Sequence, residues 1–576
     1  MAASRKTLYR SDGSSVTLTQ NQYLSSGGEG AIYCKDNLVY KLYLDPAKAV
    51  RAGVPAKVQK LSALKHSGIA APQDALWTKQ GEFSGIVLPF APGEALCKLF
   101  TNTWQQANQF DAAKTAQVTR AMREVTLYAH QQQALMVDAN EMNWVVQGTR
   151  PVAIDVDSWQ LPGFAATAIM PSIRDWSAKG FNEGTDWFAW AVVTFQLWTG
   201  IHPYKGTHPD FGRADLEGRM RAMASVFDAK VRLPKATRPL QGIPAALRSW
   251  YEQTFASSQR SAPPATFDVV APSQSAPRLR VVQSSSSQLR IERLGLAGSK
   301  VLAAFDGFVL AESTGRLVLW DALSQSEVQN LSQEQLQDIV RRKALAMRSA
   351  TARLFVRVES GAIVATDLDS AQQARLELQA QRLWSSNRRL FALVEGLNDG
   401  LIELECLRTA SRLQLVPVRR WPVSVLSTQF FRGGFVQDCL GTPVLGVALA
   451  SGELQLAAAP ALRAYKVVEG FLLDMTNVWL VAIRRQDGES VRLHLSLEGS
   501  KYELQEVQLC DDLDLDAASS LSGVGVFREG EDLVVCKARA MKRVSNVGLD
   551  ARLRLFSLGQ GIGAFIDGQV FKLQLS

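Results

Sequence analysis

The chain has 576 residues, too many for one hydrophobic core, since cores stop growing near ~250–300 residues, so two or three domains are expected. With 47% hydrophobic and 20% charged residues it is a globular chain and not a disordered one. The net charge of +8 is scattered, without the run of five or six basic residues that marks a nucleic-acid tail, so no nucleic-acid partner is expected.

Met1 to Lys6 leads into no apolar run, so no secretion signal is read there. Cys34, Cys97, Cys406, Cys439, Cys510 and Cys536 lie far apart with no metal-ligand spacing, which suits reduced thiols in a cytoplasmic protein. The most apolar stretch, Trp187 to Trp198, contains Thr194 and Gln196 and is too short to cross a bilayer, so it reads as a buried helix with no membrane role.

In chain order, the first signal is Ser25-Ser26-Gly27-Gly28-Glu29-Gly30-Ala31-Ile32-Tyr33, between one strand-like run and another, Asn37 to Tyr43, which carries Lys41. A glycine-rich turn between strands lets backbone N–H groups approach phosphate oxygens, and a lysine on the next strand can neutralise them. Taken alone, such glycines are also ordinary hairpin residues. Helical spacing follows over Thr115 to Gln132. Next, Asp138 stands five residues before Asn143, the D-x-x-x-x-N spacing in which the aspartate takes the acceptor hydroxyl's proton and the asparagine binds metal. A strand, Pro151 to Ile154, then ends in Asp155-Val156-Asp157, where an acid can hold Mg²⁺ on nucleotide phosphates.

Between Ser261 and Gln288, Ser and Pro crowd together without apolar periodicity, which reads as a linker. The domains are therefore expected at 1–265 and 290–576, with 266–289 joining them. In the second part, short apolar runs alternate with Gly, Asp and Asn turns: Lys300 to Ala304, Phe308 to Ala311, Arg316 to Trp320, Leu354 to Val358, Ile363 to Asp367 and Leu390 to Val394. This is an all-β pattern recurring at roughly forty to fifty residues, which suits a β-propeller of six or seven blades, a two-sheet sandwich pair being the alternative. The strand-ending Trp320-Asp321 is seen once, too few for a Trp-Asp repeat. Ser324 to Met347 has helical spacing and reads as an inserted helix.

The ordered motifs of the first part, ending in Asp155-Val156-Asp157-Ser158-Trp159-Gln160, resemble the protein kinase superfamily and within it the divergent bacterial kinase-like proteins with a D-x-D-S-aromatic-Q motif. The resemblance covers nearly half the chain and implies a bilobal α+β domain binding ATP and Mg²⁺ and phosphorylating protein Ser or Thr hydroxyls. It implies Gly27, Gly28, Gly30 and Ile32 over the nucleotide, Lys41 on the phosphates, Asp138 as base, and Asn143 and Asp155 on metal. Leu88 would be the gatekeeper, with Pro89, Phe90 and Ala91 offering backbone groups to adenine. Asp186 would brace the catalytic loop, with His130 packed beneath it, and His202 would be structural. Arg260 would close the domain. A protein substrate, and a metal-dependent phosphatase or a von Willebrand A-type protein, are the implied partners.

The chain also departs from that pattern. Between Asp45 and Asp74 there is no acidic residue, so the usual Lys–Glu pair cannot form and Lys41 needs another anion, Asp155 being the candidate. Met136-Val137 stands where His-Arg is usual, Asn140 replaces the lysine two after the aspartate, and Met170 to Asp175 takes the Ala-Pro-Glu neighbourhood. Asp157 is open between capping a turn and touching metal, and Thr167 and Ser172 are candidate phosphorylation sites. The rival readings are a pseudokinase scaffold, in which the propeller-like half serves as a docking platform, and a small-molecule kinase of the aminoglycoside phosphotransferase type.

Overall fold

The computed structural model describes residues 5–268 and 289–575, except 167, 235–236, 295–299, 342, 387, 395–399, 425–426, 432, 449–453, 474–476, 499–500, 511–512, 521–523, 530–531, 538–539, 545–552 and 567–568. Thr167 and most of the expected linker lie outside these residues. The chain is mostly β, built from antiparallel sheets together with helices that lie mainly in its first part.

Its first part opens with a seven-stranded antiparallel sheet in the order Ser15–Leu18, Lys6–Arg10, Asp74–Trp77, Phe83–Pro89, Leu38–Tyr43, Gly30–Lys35, Tyr23–Ser26. Alternation along Leu38–Tyr43 sends Tyr40 and Leu42 into a cluster with Leu8, Leu18 and Tyr33. The opposite face carries Val39 and Tyr43, which pack with Ile86, Leu88 and the helix Val54–Leu61. Lys41 shares that second face, paired in register with Ile32 on one side and Ile86 on the other. Gly30 is required by packing, because a Cβ there would lie 2.7 Å from the Leu42 carbonyl oxygen. Gly27 and Gly28 meet no such limit, since a Cβ at either would find nothing within 4 Å.

Below this sheet lie a small sheet (Glu94–Ala95, Trp144–Gln147, Arg150–Ala153) and the main helices, Ala112–Gln131, Glu183–Thr199 and Ala245–Ala256. Glu183–Thr199 is buried on all sides, as its all-round apolar character requires. Asn182 and Thr185 form a capping box at its start, and Gly200 ends it in the left-handed conformation at φ 80°. The helix expected over Trp187 to Trp198 is thus present and longer, and no helix among the described residues is long and apolar enough to cross a membrane.

The second part contains, among the described residues, seven four-stranded antiparallel sheets. Six are consecutive meanders; in the seventh, Leu289–Leu294 pairs with the last strand, Gln569–Leu575, and so completes a sheet whose other strands come from the chain's end. Each sheet shares a core with the next. Val309 and Trp320 pack with Phe556 and Val570, Phe308 with Phe355, Leu354 with Leu404, and Phe391 with Phe435. Leu445 then packs with Leu480, Trp479 with Phe527, and Val526 with Leu555. The strand readings from Lys300 to Val394 hold within a residue or two. The long inserted helix does not: only Gln333–Val340 is helical, and Ala344–Arg348 is a strand, because Ala344, Ala346 and Met347 are taken into sheet cores.

The two parts also share a core. Phe471, Trp479 and Leu515 of the second belong to the same buried cluster as Leu96, Phe100 and Trp144 of the first. Polar ties span the junction as well: Asp514 accepts from the backbone N–H groups of Asn102 (2.8 Å) and Thr103 (2.9 Å), and the buried Lys205 meets Glu489 at 2.8 Å. None of the six cysteines forms a disulfide.

Candidate active site

A continuous set of contacts joins the residues singled out in the sequence. The Lys41 ammonium lies 3.5 Å from Glu29 in the glycine-rich turn, 2.7 Å from Asp155 Oδ1 and 2.7 Å from Asp157 Oδ2. One residue before Asp155, the Ile154 N–H donates to the Asn143 carbonyl (2.9 Å), and the Asn143 side-chain amide donates to the Asp138 carbonyl (2.8 Å). This hydrogen bond uses Asn143 Nδ2, so Oδ1 is the side-chain atom that could hold a metal.

The two acids on Lys41 differ in setting. The Asp155 side chain is 36% exposed and its backbone is left-handed at φ 58°, whereas the Asp157 side chain is 2% exposed. Asp157 Oδ2 also accepts from the Tyr43 hydroxyl at 2.5 Å, and Lys57 Nζ donates to its main-chain carbonyl at 2.6 Å. Burial alone would lower the Lys41 pKa, yet Asp157 and Asp155 together hold it well above the usual lysine value. Asp157 is held below the carboxylate range, because Lys41 and the Tyr43 hydroxyl outweigh its burial. Asp155 is raised, burial and the neighbouring Asp157 charge exceeding the pull of Lys41. Lys57 is lowered by burial.

Asp138 sits in a loop held from below. Asp186 accepts from the backbone N–H groups of Met136 (2.8 Å) and Val137 (2.9 Å), and His130 Nε2 meets the same carboxylate at 2.9 Å. That bracing lets Val137 hold a positive φ of 56°, a cost for a β-branched residue. Asp138 Oδ1 accepts from the Met170 N–H at 2.8 Å, and burial raises the carboxyl's pKa against that hydrogen bond. The segment is fixed further on, where His202 Nε2 donates to the Ser172 carbonyl (2.8 Å). Ser172 is 3% exposed, which does not suit a modifiable hydroxyl.

On the neighbouring strand, Leu88 is buried and pairs with Val39. The Phe90 N–H donates to the Asn37 carbonyl (3.1 Å), so among the residues read as a hinge only Ala91 retains a backbone donor for a base, proline having none. In the turn itself, the Gly27 N–H is committed to the Gly30 carbonyl (2.9 Å).

Of the residues read from the sequence, Lys41, Asp138, Asn143 and Asp155 are linked by these contacts, with Ile32 beside Lys41 in register. Four others carry weight that the sequence left open. Asp157 joins Asp155 on Lys41, Tyr43 and Lys57 hold Asp157, and Met170 covers Asp138. A lysine without an acidic partner on the next helix was the available signal for the first three. The sequence placed Met170 at the head of the segment Met170 to Asp175, but nothing in it pointed to the contact with Asp138.

No family model matches the chain, and no curated protein matches it. Among the solved structures similar to it is a twitchin kinase fragment from C. elegans, described as an autoregulated protein kinase with immunoglobulin domains. It is 15% identical, at a TM-score of 0.34, with 42% of this chain and 54% of that one covered. The chain thus matches about half the length of that structure.

Proposed function

We propose that residues 1–265 form a protein-kinase-like domain that binds ATP with Mg²⁺ and transfers the γ-phosphoryl group to a Ser or Thr hydroxyl of a protein. The observation that carries this reading is the run of contacts from Glu29 through Lys41 and Asp155 to Asn143 and Asp138. Asn143 and Asp155 supply oxygen donors suited to a hard cation. Among the described residues no group of three or more His, Cys, Asp and Glu could hold a metal alone, so nucleotide oxygens would complete the shell. Bound there, Mg²⁺ would neutralise charge on the phosphates.

The protein's own groups have distinct tasks in this reading. Gly28 lets the turn approach the phosphates, Ala91 meets the adenine, and Lys41 offsets phosphate charge. Asp138 orients the acceptor hydroxyl and takes its proton, a task aided by the higher proton affinity that burial gives it. The seven sheets are read as blades of a β-propeller. The closing strand Leu289–Leu294 and the core shared by each successive pair support that reading, and a propeller face would recruit the protein substrate.

One observation favours a second reading, a scaffold that binds nucleotide without transferring phosphate: the Met170 N–H occupies Oδ1, one of the two oxygens with which Asp138 would meet the acceptor hydroxyl. Labelled ATP, Mg²⁺ and a general acceptor protein separate the two. Transfer by the wild type, reduced by ~10²–10⁴ in Asp138→Asn with ATP binding kept, is the expected result. ATP binding without any transfer establishes the scaffold, and absence of ATP binding removes both readings.

A further inference from the structure

Lys41 meets three acids, Glu29 at 3.5 Å and Asp155 and Asp157 at 2.7 Å, and of the two close ones only Asp155 is substantially exposed. We infer that Asp157 is the positioning residue that fixes Lys41 for the nucleotide, replacing the acidic residue that the stretch between Asp45 and Asp74 does not contain. The inference rests on the nucleotide-binding reading above and deepens it.

Two features assign the role to Asp157 and not to Asp155. The first is enclosure: with its side chain 2% exposed, Asp157 cannot exchange Lys41 for solvent or ligand, whereas Asp155 at 36% can. The second is fixation. Tyr43 stands two residues beyond Lys41 on the same strand, so alternation brings both side chains to one face, and both reach Asp157 Oδ2, at 2.5 and 2.7 Å. Lys57, itself 2% exposed, then anchors the Asp157 main chain at 2.6 Å from the helix Val54–Leu61.

The two acids are also coupled through the backbone. Asp155 and Asp157 belong to one short turn, Val156–Ser158 with Asp155 at its head, so a single backbone segment sets both the lysine and the metal-facing acid. The stretch between Asp45 and Asp74 here supplies a lysine, which ties that turn to the helix packed on the upper sheet. Lys41 is therefore held without any ion pair to the helix Val54–Leu61.

Calorimetric titration of the full chain with Mg²⁺-ATP and with adenosine tests this. Adenosine lacks phosphates, so a role through Lys41 weakens ATP alone, whereas general loosening weakens both ligands. Asp157→Asn is expected to bind ATP about tenfold more weakly and adenosine unchanged, and Lys41→Met to behave alike. The double variant is expected to be no weaker than Lys41→Met. Equal losses for both ligands, or additive losses in the double variant, overturn the assignment.

If Asp157→Asn fails to fold, Tyr43→Phe removes one hydrogen bond from the same oxygen and is expected to lower the ATP-to-adenosine affinity ratio by a few-fold; an unchanged ratio overturns the assignment. A wild type that binds neither ligand overturns the nucleotide reading and this assignment together. A wild type that binds both, beside an Asp157→Asn variant that matches it, overturns the assignment alone.

Discussion

Arg260 closes on Asp175 across 85 residues, its Nε 2.7 Å from one carboxylate oxygen and its Nη2 2.9 Å from the other. Both side chains are nearly enclosed, and the pair ties the end of the helical region to the segment that follows the Asp138 loop. Breaking one partner of a buried pair leaves an uncompensated charge, so Arg260→Ala is expected to cost about 3–5 kcal/mol. Urea unfolding of Arg260→Ala, Asp175→Asn and the double variant checks this, with the double variant expected to lose less than the sum of the singles.

Gly488 controls how closely the second part of the chain presses on the covering segment. It holds φ 77° in the turn after Arg484, and a Cβ there would lie 2.1 Å from Ser172 Oγ and 2.9 Å from Met170 Cγ. Gly488→Val is therefore expected to push Met170–Ile173 aside and release the Met170 N–H from Asp138. Hydrogen exchange should show lost protection over 170–173, with ATP affinity unchanged, and faster phosphate transfer than the wild type.

His202 makes the same segment sensitive to acid. Its Nε2–H donates to the Ser172 carbonyl while Nδ1 accepts from the Tyr204 N–H at 3.2 Å, an arrangement for the neutral ring. Burial pushes its pKa down to about 3; the hydrogen bond to Ser172 opposes this, while Lys205 and Arg219 add to it. The folded state thus favours the neutral form, so this contribution is intact above the unfolded value near 6.5 and is lost as pH falls below it. Between pH 7.5 and 5 the loss is about 2 kcal/mol. Thermal unfolding across that range should show His202→Gln with a shallower acid-side decline than the wild type.

Much of this was legible because the signals were local. The spacing of Asp138 and Asn143, the glycine-rich turn and the apolar run of Glu183–Thr199 are each properties of a short segment. The second partner of Lys41 was not, because Asp157 reaches it through folding of a segment 116 residues away and two further side chains hold it there. Arg260 and Asp175 were each noticed, but nothing in the sequence said that they pair. In the β-rich half, Trp320-Asp321 looked solitary because the next sheet has Thr366-Asp367. The register nevertheless sets Asp321 opposite Phe308 as it sets Asp367 opposite Leu354, and both aspartates accept a backbone N–H from two residues on. The repeat lies in that turn chemistry, which tolerates either neighbour. The Ser324 to Met347 reading failed because helical spacing cannot be told from two short apolar elements when the second begins a strand.

In the proposed function, Asp155 and Asn143 hold a divalent ion against ATP, beside Lys41. ATP affinity measured with and without Mg²⁺, in the wild type and in Asp155→Asn, tests it most directly. The expected result is a gain of at least about tenfold on adding Mg²⁺ to the wild type and almost none in Asp155→Asn. An equal gain in both proteins, or ATP binding indifferent to Mg²⁺, would contradict the claim.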